Sequence, residues 1–502
     1  MSPGWLAVGG AFVLGVGMAL VYASGAAVDP ASERIESVAV LPFDDFSPER
    51  DLAFLGEGIA EEVLNALARL GTVRVPSRSA SFRLRESGLS PREIGSRLGV
   101  QAVLEGGIRR EGDRVRATAQ LIDSGSGFQI WSEAFEGESR DLFGLQEEIA
   151  RGVVSALGVT GGPGSGSRLV EHGTDDAEAY ELWLRGRALW SRRTAESVRL
   201  SAEYFERAVE RDSSYAAAYA GLADAKAVQV VLMGEGTEGA EDLLESAREL
   251  VERALELDPA LGEAWASLGF LQGFAVGGWR DGMLSLRLAV ALSPGYPWGH
   301  LWLANSLVHG TGDLEQALVH FERAYDLDPL TSLMATNLGT VLYYVGRVDR
   351  AIEVLEANVR ANPDAAETHR DLAQVLVSAG RHVDAVQAAN RAVELASGSG
   401  WSLVNPAEAL VNLAEVLARA GEPARAREVA EQALEAGAPA YRIGLVHYAR
   451  GEIDLAFDWL RRGGWGYFSR RRLEFDPALA GLRADPRFEE LFAELKREQD
   501  SI

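Results

Sequence analysis

Hydrophobic residues follow three different patterns along the chain, and the first of these patterns predicts a membrane helix. Residues 5–28 form a run without any charged side chain. As a helix this run would be about 36 Å long, and a hydrocarbon core is about 30 Å thick. We predict an uncleaved transmembrane helix or signal anchor over residues 1–30. The alternative is a cleaved signal peptide, with a cleavage site at Ala23 and Gly25 or at Gly25 and Ala27.

The residues around this run predict an orientation and a contact between membrane helices. Between the end of the run and residue 36, Arg34 is the only basic residue and three residues are acidic. Because basic residues favour the cytoplasmic side, we expect the bulk of the chain in the periplasm, in a single-pass protein of the bacterial inner membrane. Small residues recur at every fourth position of the run: Ala7, Ala11, Gly15, Ala19 and Ala23. This stripe would allow self-association through the transmembrane helix.

The second pattern, over residues 31–160, mixes strand and helix periodicity and predicts a small α/β domain. Residues 35–43 are β-branched and apolar, as in a strand. Residues 54–70 place their apolar side chains on one face of a helix. Three later segments alternate with period two between turn sequences, at 102–110, 114–123 and 129–134. Residues 142–157 are predicted to close the domain as a helix.

Parts of this region resemble the TolB-like amino-terminal domain, over roughly residues 36–158. The resemblance is specific at the strand ending Leu41-Pro42-Phe43, at the helix start from Gly58 to Glu62, at the strand Leu104-Glu105-Gly106 and around Trp131. In bacterial multidomain proteins this domain often precedes tetratricopeptide repeats. Related architectures place a winged-helix, kinase or nucleotide-cyclase module ahead of it. This sequence has no Asp-Phe-Gly triplet and no basic recognition helix, so that regulatory output is not expected to carry over.

Acidic residues cluster after the first predicted strand and in the first turns of the first helix: Asp44, Asp45, Glu57, Glu61 and Glu62. A metal ion or a cationic ligand would suit such a cluster. We favour a structural explanation, in which the carboxylates complement the helix N-terminus and are solvated. Glu105, in an apolar strand, is also expected to be a paired or edge-strand carboxylate.

The third pattern begins after a linker rich in Gly, Ser and Pro at residues 161–174, and it is a repeat. Four dipeptides that end in proline recur at spacings of 35, 35 and 34 residues: Asp258-Pro259, Ser293-Pro294, Asp328-Pro329 and Asn362-Pro363. At matching offsets after them, leucine precedes a small residue: Leu268-Gly269, Leu303-Ala304, Leu338-Gly339 and Leu372-Ala373. A period near 34 with these residues is the tetratricopeptide signature. We predict an α-solenoid of about eight helix pairs over residues 175–465 and capping helices over 466–502.

The resemblance to tetratricopeptide repeats also implies a groove, lined by the first helix of each pair, that binds partner proteins or extended peptides. The candidate groove residues combine aromatic, amide, hydroxyl and basic groups: Trp298, Asn305, His309, Thr336, Thr340, Tyr344, Arg370 and Gln374. The alternative for each of them is ordinary exposure or packing between repeats. A chaperone-tail clamp is not expected, because Leu301 stands where a clamp base would be needed.

The composition and the missing motifs argue against several kinds of partner and reactive site. The chain has 502 residues, a net charge of −25 and no cysteine. The negative charge argues against nucleic acid, and the lack of cysteine excludes disulfides, thiolate metal sites and a cysteine nucleophile. The sequence contains neither His-Glu-x-x-His nor Gly-x-Ser-x-Gly, and His300, His309 and His320 are not spaced as neighbours on one helix. We therefore predict no catalytic residue, no cofactor and no metal site.

The basic run Arg470-Arg471-Arg472 has two interpretations. A contact with lipid headgroups or nucleic acid is one. We favour a solvated face that nearby acids balance.

These patterns together predict a multidomain chain of α/β and all-α parts, with an N-terminal transmembrane helix, a small TolB-like α/β domain and a C-terminal tetratricopeptide solenoid. The expected function is a non-enzymatic, membrane-anchored scaffold that binds partner proteins through its groove. The alternative is a sensor or regulatory subunit whose α/β domain binds a ligand and signals to a separately encoded kinase, cyclase or transcription factor. An enzyme with its site in the α/β domain is the third hypothesis.

Overall fold

The structure, a computed structural model, describes residues 35–500. Within that span it leaves out residue 87 and residues 139–140, 160–168, 171, 191–194, 234–238, 275–277, 399–403 and 464–466. The described residues form an α/β part, a series of helix pairs and a group of C-terminal helices.

The α/β part is built on one sheet, whose strands are β1 (Val38–Val40), β2 (Asp44–Asp45), β3 (Ala102–Glu111), β4 (Arg114–Asp123) and β5 (Gln129–Glu138). The strands β3, β4 and β5 form an antiparallel meander, and β1 and β2 both pair in parallel with β3. The predicted strands and hairpins are confirmed. Strand β1 is shorter than the predicted segment 35–43.

Helices cover both faces of this sheet, which explains why β1 is apolar without alternation. The four helices of the α/β part are Ala53–Leu70, Arg78–Glu86, Pro91–Leu98 and Leu142–Ala156. Val38 and Val40 pack in the larger core with the first and last of these helices. Ala39 and Leu41 point to the other face and pack in a smaller core with Leu84 and Ile94.

The helix pairs follow as a solenoid, with eight pairs among the described residues. Pairs 1 to 4 are Ala177–Trp190 with Ala195–Arg211, Ala216–Met233 with Ala240–Leu257, Gly262–Phe274 with Gly282–Leu292, and Pro297–Ser306 with Leu314–Leu327. Pairs 5 to 8 are Ser332–Tyr344 with Val348–Ala361, Ala366–Ser378 with His382–Ala396, Pro406–Arg419 with Pro423–Glu435, and Ala440–Ala449 with Ile453–Leu460.

The small residues of the repeat pattern lie where the two helices of a pair touch. A Cβ atom built on Gly269 would lie 2.5 Å from Cγ of Leu286, and one on Gly339 would lie 2.6 Å from Cγ of Leu355. Ala304 and Ala373 occupy the equivalent places and are fully buried. The leucine of the second helix therefore packs directly on the backbone of the first.

The predicted fold class is wrong in its N-terminal transmembrane helix. The chain is mostly helical with a solenoid of tetratricopeptide type, and none of the helices that the structure describes has the length and apolarity needed to cross a membrane. The segment 1–30, on which the prediction was made, lies outside the described residues. The orientation, and the localisation that depended on this span, stay predictions.

The C-terminal helices cover the apolar face of pair 8. They are Tyr467–Phe475, which we call the tail helix, the 3₁₀ turn Pro477–Leu479, Ala480–Arg483 and Arg487–Asp500. Leu473, Leu479 and Leu482 are fully buried in one cluster with Phe457 and Leu460 of pair 8. The tail helix is thus fixed at its end while its arginine side chains reach toward earlier repeats.

The α/β part contacts the solenoid at two separate places. The hydroxyl of Tyr180 in pair 1 donates to the carboxylate of Glu62 over 3.0 Å. The amide N–H of Ser77 donates to the carbonyl oxygen of Leu327, at the end of pair 4, over 2.8 Å. Leu330, which follows pair 4, is buried in the smaller core of the sheet. These contacts hold the α/β part against pairs 1 and 4 of the solenoid.

Candidate protein-binding groove

A cavity of about 460 Å³ lies against the first helices of pairs 4 to 8, and the end of the tail helix forms part of its wall. Seven of the eight candidate groove residues line it: Asn305, His309, Thr336, Thr340, Tyr344, Arg370 and Gln374. Their positions recur on successive first helices, so the solenoid brings them to one surface. We call this surface the groove. Its binding of a partner stays a prediction.

Trp298 does not line the cavity. Its ring packs 6.0 Å from the ring of Trp302 on the same helix and 6.3 Å from that of Trp190 in pair 1. This is the packing alternative that the sequence left open for each candidate.

The hydroxyl and amide groups of the groove are partly used by their own helices. Asn305 donates to the carbonyl of Leu301 over 3.0 Å, and Asn337 donates to that of Leu333 over 2.9 Å. Thr340 donates to the carbonyl of Thr336 over 3.0 Å and lies 3.2 Å from a carboxylate oxygen of Asp371. These contacts fix the side chains in place.

Charged groups of the groove are paired. Arg370 lies 2.7 Å from the carboxylate of Asp371 and 3.8 Å from that of Glu408. Gln374 donates to the carboxylate of Glu415 over 3.1 Å. The cavity therefore offers donors and acceptors with fixed positions, in the way a recognition site does.

The tail helix inserts two arginines into this region. Nη2 of Arg472 lies 2.6 and 2.8 Å from the two carboxylate oxygens of Glu415. Burial by itself would raise the pKa of Glu415, but Arg472 and Arg419 outweigh it and lower the pKa to about 2. Arg471 donates to the carbonyl oxygen of His309 from Nε over 3.2 Å and also from Nη2.

The interpretation of the basic run as a solvated face is therefore wrong for Arg471 and Arg472. Arg471 is buried, and the side chain of Arg472 is 12% exposed. One feature of the sequence could have indicated this contact. Glu415 is a carboxylate at an inward position of a repeat helix, and a buried charge requires a partner.

Two of the histidines meet across the helices of one pair, a contact that spacing along a single helix does not address. The Nδ1 atoms of His300 and His320 lie 3.0 Å apart, because the antiparallel helices of pair 4 bring them together. Nε2 of His300 lies 3.2 Å from the carbonyl oxygen of Pro294, which is an acceptor, so Nδ1 of His300 accepts from His320. Burial lowers the pKa of His300 to about 4, so this ring is neutral near pH 7.

The expectation that the acidic cluster complements the helix N-terminus and is solvated is wrong for Glu61 and Glu62. The helix begins at Ala53 with no acid in its first turn, and both carboxylates are buried. Glu61 pairs with Arg78 over 3.0 Å and also with Arg187 of pair 1. Glu62 is buried at the same interface, and burial together with the neighbouring Glu61 raises its pKa to about 8. Glu105 is a paired carboxylate, as expected, and accepts a hydrogen bond from Gln120 over 2.7 Å.

Comparisons with known proteins agree with the repeat part. The model of the tetratricopeptide repeat family matches residues 336–400 and 411–464. A protein of Rhizobium meliloti (strain 1021) whose name includes "adenylate cyclase 3" is 32% identical over 222 residues. The matched region is 44% of this chain and 38% of that relative, so this chain spans well under half of the relative's length. The resemblance of residues 36–158 to the TolB-like domain stays a prediction.

Two solved structures of tetratricopeptide or related helical proteins match parts of this chain at low identity. YrrB, described as a tetratricopeptide protein with an unusual peptide-binding site, is 19% identical over 39% of this chain and 93% of its own, with a TM-score of 0.30. Yeast Tom70 is 16% identical over 64% of this chain and 68% of its own, with a TM-score of 0.37. The family match and the helix pairs lead to one conclusion: the chain contains tetratricopeptide repeats, a type of fold whose proteins act as protein-interaction scaffolds.

Proposed function

We propose that this chain is a non-enzymatic adaptor that binds an extended segment of partner proteins in the groove. The observation that supports this proposal is the cavity of about 460 Å³ lined by seven of the residues that the repeat register predicted. A groove of this kind, formed by stacked helices, presents side chains along a line, which suits a peptide more than a compact ligand.

The lining has the composition of a peptide site. Asn305, Asn337 and Asn412 supply amide groups, and Val308 and Leu333 supply apolar surface. Amides on fixed helices hydrogen-bond to a peptide backbone, and apolar positions between them select side chains.

A pull-down with matched variants tests this function. The groove variant carries Asn305→Ala, Asn337→Ala and Thr340→Ala, which remove lining groups whose bonds lie mostly within their own helices. The control variant carries Val319→Ala and Val383→Ala, at exposed positions on second helices. We expect the groove variant to lose partners that the wild-type and control chains both recover. Recovery of the same partners by all three folded chains would contradict the proposal.

A second candidate function follows from the relative whose name includes "adenylate cyclase 3". In this candidate the α/β part, as a TolB-like domain, binds a ligand, and the repeats pass its state to a separately encoded nucleotide cyclase. Cellular cyclic AMP would then change when the chain is produced, and the purified chain alone would make none from ATP. Unchanged cyclic AMP in cells would contradict this candidate. Cyclic AMP formation by the purified chain would contradict both candidates, since each is non-enzymatic.

A further inference from the structure

The contacts between the tail helix and the groove resemble those of a bound ligand. Three separate groups of the groove hold three side chains of the tail, and the groove groups come from pairs 4, 5 and 7. A helix that merely covered pair 8 would need contacts with that pair alone.

The first contact is between Arg472 and Glu415 of pair 7. The side chain of Glu415 is 0% exposed, and it also accepts from Arg419 over 2.8 Å. A carboxylate buried in this way has lost its water and depends on the cations around it. Arg472 supplies one of these cations from outside the repeats.

The second contact is between Arg471 and the backbone of pair 4. The first helix of that pair ends in a π-helical turn, Leu307–Thr311, and turns of this type are frequent at functional sites. The carbonyl of His309 in this turn accepts from Arg471. Gly312 ends the turn at φ +75°, and a Cβ there would lie 3.1 Å from the ring of Phe475.

The third contact lies at the end of the tail helix. The hydroxyl of Tyr343 in pair 5 donates to the carboxylate of Asp476 over 2.8 Å. The ring centroids of Tyr344 and Phe475 lie 6.3 Å apart, within the range of an aromatic pair. Residues 471–476 therefore present two arginines, two intervening residues, an aromatic ring and a carboxylate.

We infer that the groove recognises a partner segment of the form Arg-Arg-x-x-Phe-Asp, and that residues 471–476 of the chain occupy this site as an internal ligand that the partner segment replaces. This inference rests on the proposed function and specifies the chemistry of the partner. The internal segment has a high effective concentration, so it keeps weak ligands out of the groove.

Charge supports a basic partner segment. The whole chain has a net charge of −25. The cavity wall itself carries both signs, because Arg370 and Arg442 line it together with Glu367, Asp371 and Glu408. The carboxylate that accepts from Arg472 is the buried Glu415. The negative charge of the chain would attract arginines of the partner. These arginines would then form directed hydrogen bonds to the carboxylate of Glu415 and to the carbonyl oxygen of His309.

A peptide-binding measurement on the full chain tests the inference. The probe is a fluorescein-labelled peptide with the sequence of residues 470–479, and the control peptide has alanine in place of both arginines that correspond to Arg471 and Arg472. The receptor is the wild-type chain or a variant with a weakened internal segment, Arg471→Ala with Arg472→Ala. Phe475→Ala is a milder second variant that leaves both arginines in place, in case the first does not fold.

Fluorescence anisotropy should show at least about tenfold tighter binding of the probe to the weakened variants than to the wild-type chain, which corresponds to about 1.4 kcal/mol. The control peptide should not bind. Equal binding of probe and control, or no gain in the folded variants, would overturn the inference. So would a concentration-dependent dimer of the Phe475→Ala variant without peptide binding, because the occupant would then be the tail of a second copy.

The outcome is distinguishable from failure of the proposed function. Selective peptide binding without any partner lost by the groove variant would leave the inference standing and contradict the adaptor role. Partners that depend on the groove, together with no peptide binding, would leave the adaptor role standing and overturn the inference.

Discussion

Arg472 and Glu415 are 57 residues apart in the sequence, yet Nη2 of the arginine lies 2.6 and 2.8 Å from both carboxylate oxygens of the glutamate. The contact connects the tail helix to the first helix of pair 7, where the side chain of Glu415 is fully buried and that of Arg472 is 12% exposed. Tail and groove therefore form one structural unit.

This contact leads to the first prediction. Glu415→Gln removes the charge that Arg472 and Arg419 share, and breaking a buried ion pair costs about 3 to 5 kcal/mol. We expect a loss near the lower end of that range, because Arg472 keeps its contact with Asp476 at 3.1 Å. Urea unfolding, monitored by circular dichroism, measures this loss of unfolding free energy.

The matched control for Glu415→Gln is Glu353→Gln. Glu353 lies 2.9 Å from Arg350, and both side chains are more than 60% exposed. An exposed pair of this kind contributes less than about 1 kcal/mol. Equal losses of unfolding free energy for the two variants would show that the buried ion pair stabilises the fold no more than the exposed pair does.

The second prediction concerns how closely the two helices of a pair approach each other. Gly339→Ala places a Cβ 2.6 Å from Leu355, so the helices must move apart at a cost of about 1 to 3 kcal/mol. Gly295→Ala is the control, since no atom lies within 4 Å of its Cβ position. A thermal melt should show a lower midpoint for Gly339→Ala and an unchanged one for Gly295→Ala.

The third prediction is a pH dependence at the interface of the α/β part with pair 1. Burial raises the pKa of Glu62 from its ordinary value of 4.5 to about 8. Between these pH values the folded chain holds a proton that the unfolded chain has lost, so this group makes the folded state less stable as the pH rises. Glu62→Gln removes the titration and keeps the acceptor for Tyr180.

We therefore expect the unfolding free energy of Glu62→Gln, relative to the wild-type chain, to rise by about 1.4 kcal/mol per pH unit between pH 5 and 8. Glu61→Gln is the contrasting variant, because it breaks the ion pairs with Arg78 and Arg187 and should be destabilising. A difference for Glu62→Gln that stays flat over this range would show that the carboxyl is ionised throughout.

The helix pairs could be predicted from the sequence because their determinants are local. The small residue on the first helix contacts a leucine on the second helix of the same pair, within about one repeat. The inward positions of the first helices follow from the same register, which is why seven candidates line one cavity.

The remaining features depend on contacts between different helices or distant parts of the chain, which the repeat register does not predict. Arg471 reaches a carbonyl 162 residues earlier, so its contact depends on how far the solenoid has curved by pair 8. His300 and His320 meet because two antiparallel helices face each other, and spacing along one helix carries no information about such a contact. Glu61 and Glu62 have the composition of an ordinary helix start, and packing against pair 1 buries them.

The central claim is that proteins bind in the groove, and site-specific photo-crosslinking in cells tests it most directly. A photoreactive amino acid is placed at Thr340 in the groove or at Val383, which is 72% exposed on a second helix. We expect distinct adducts with other proteins from position 340 and none of these from position 383. Identical adducts from both positions, or adducts from position 383 alone, would contradict the account.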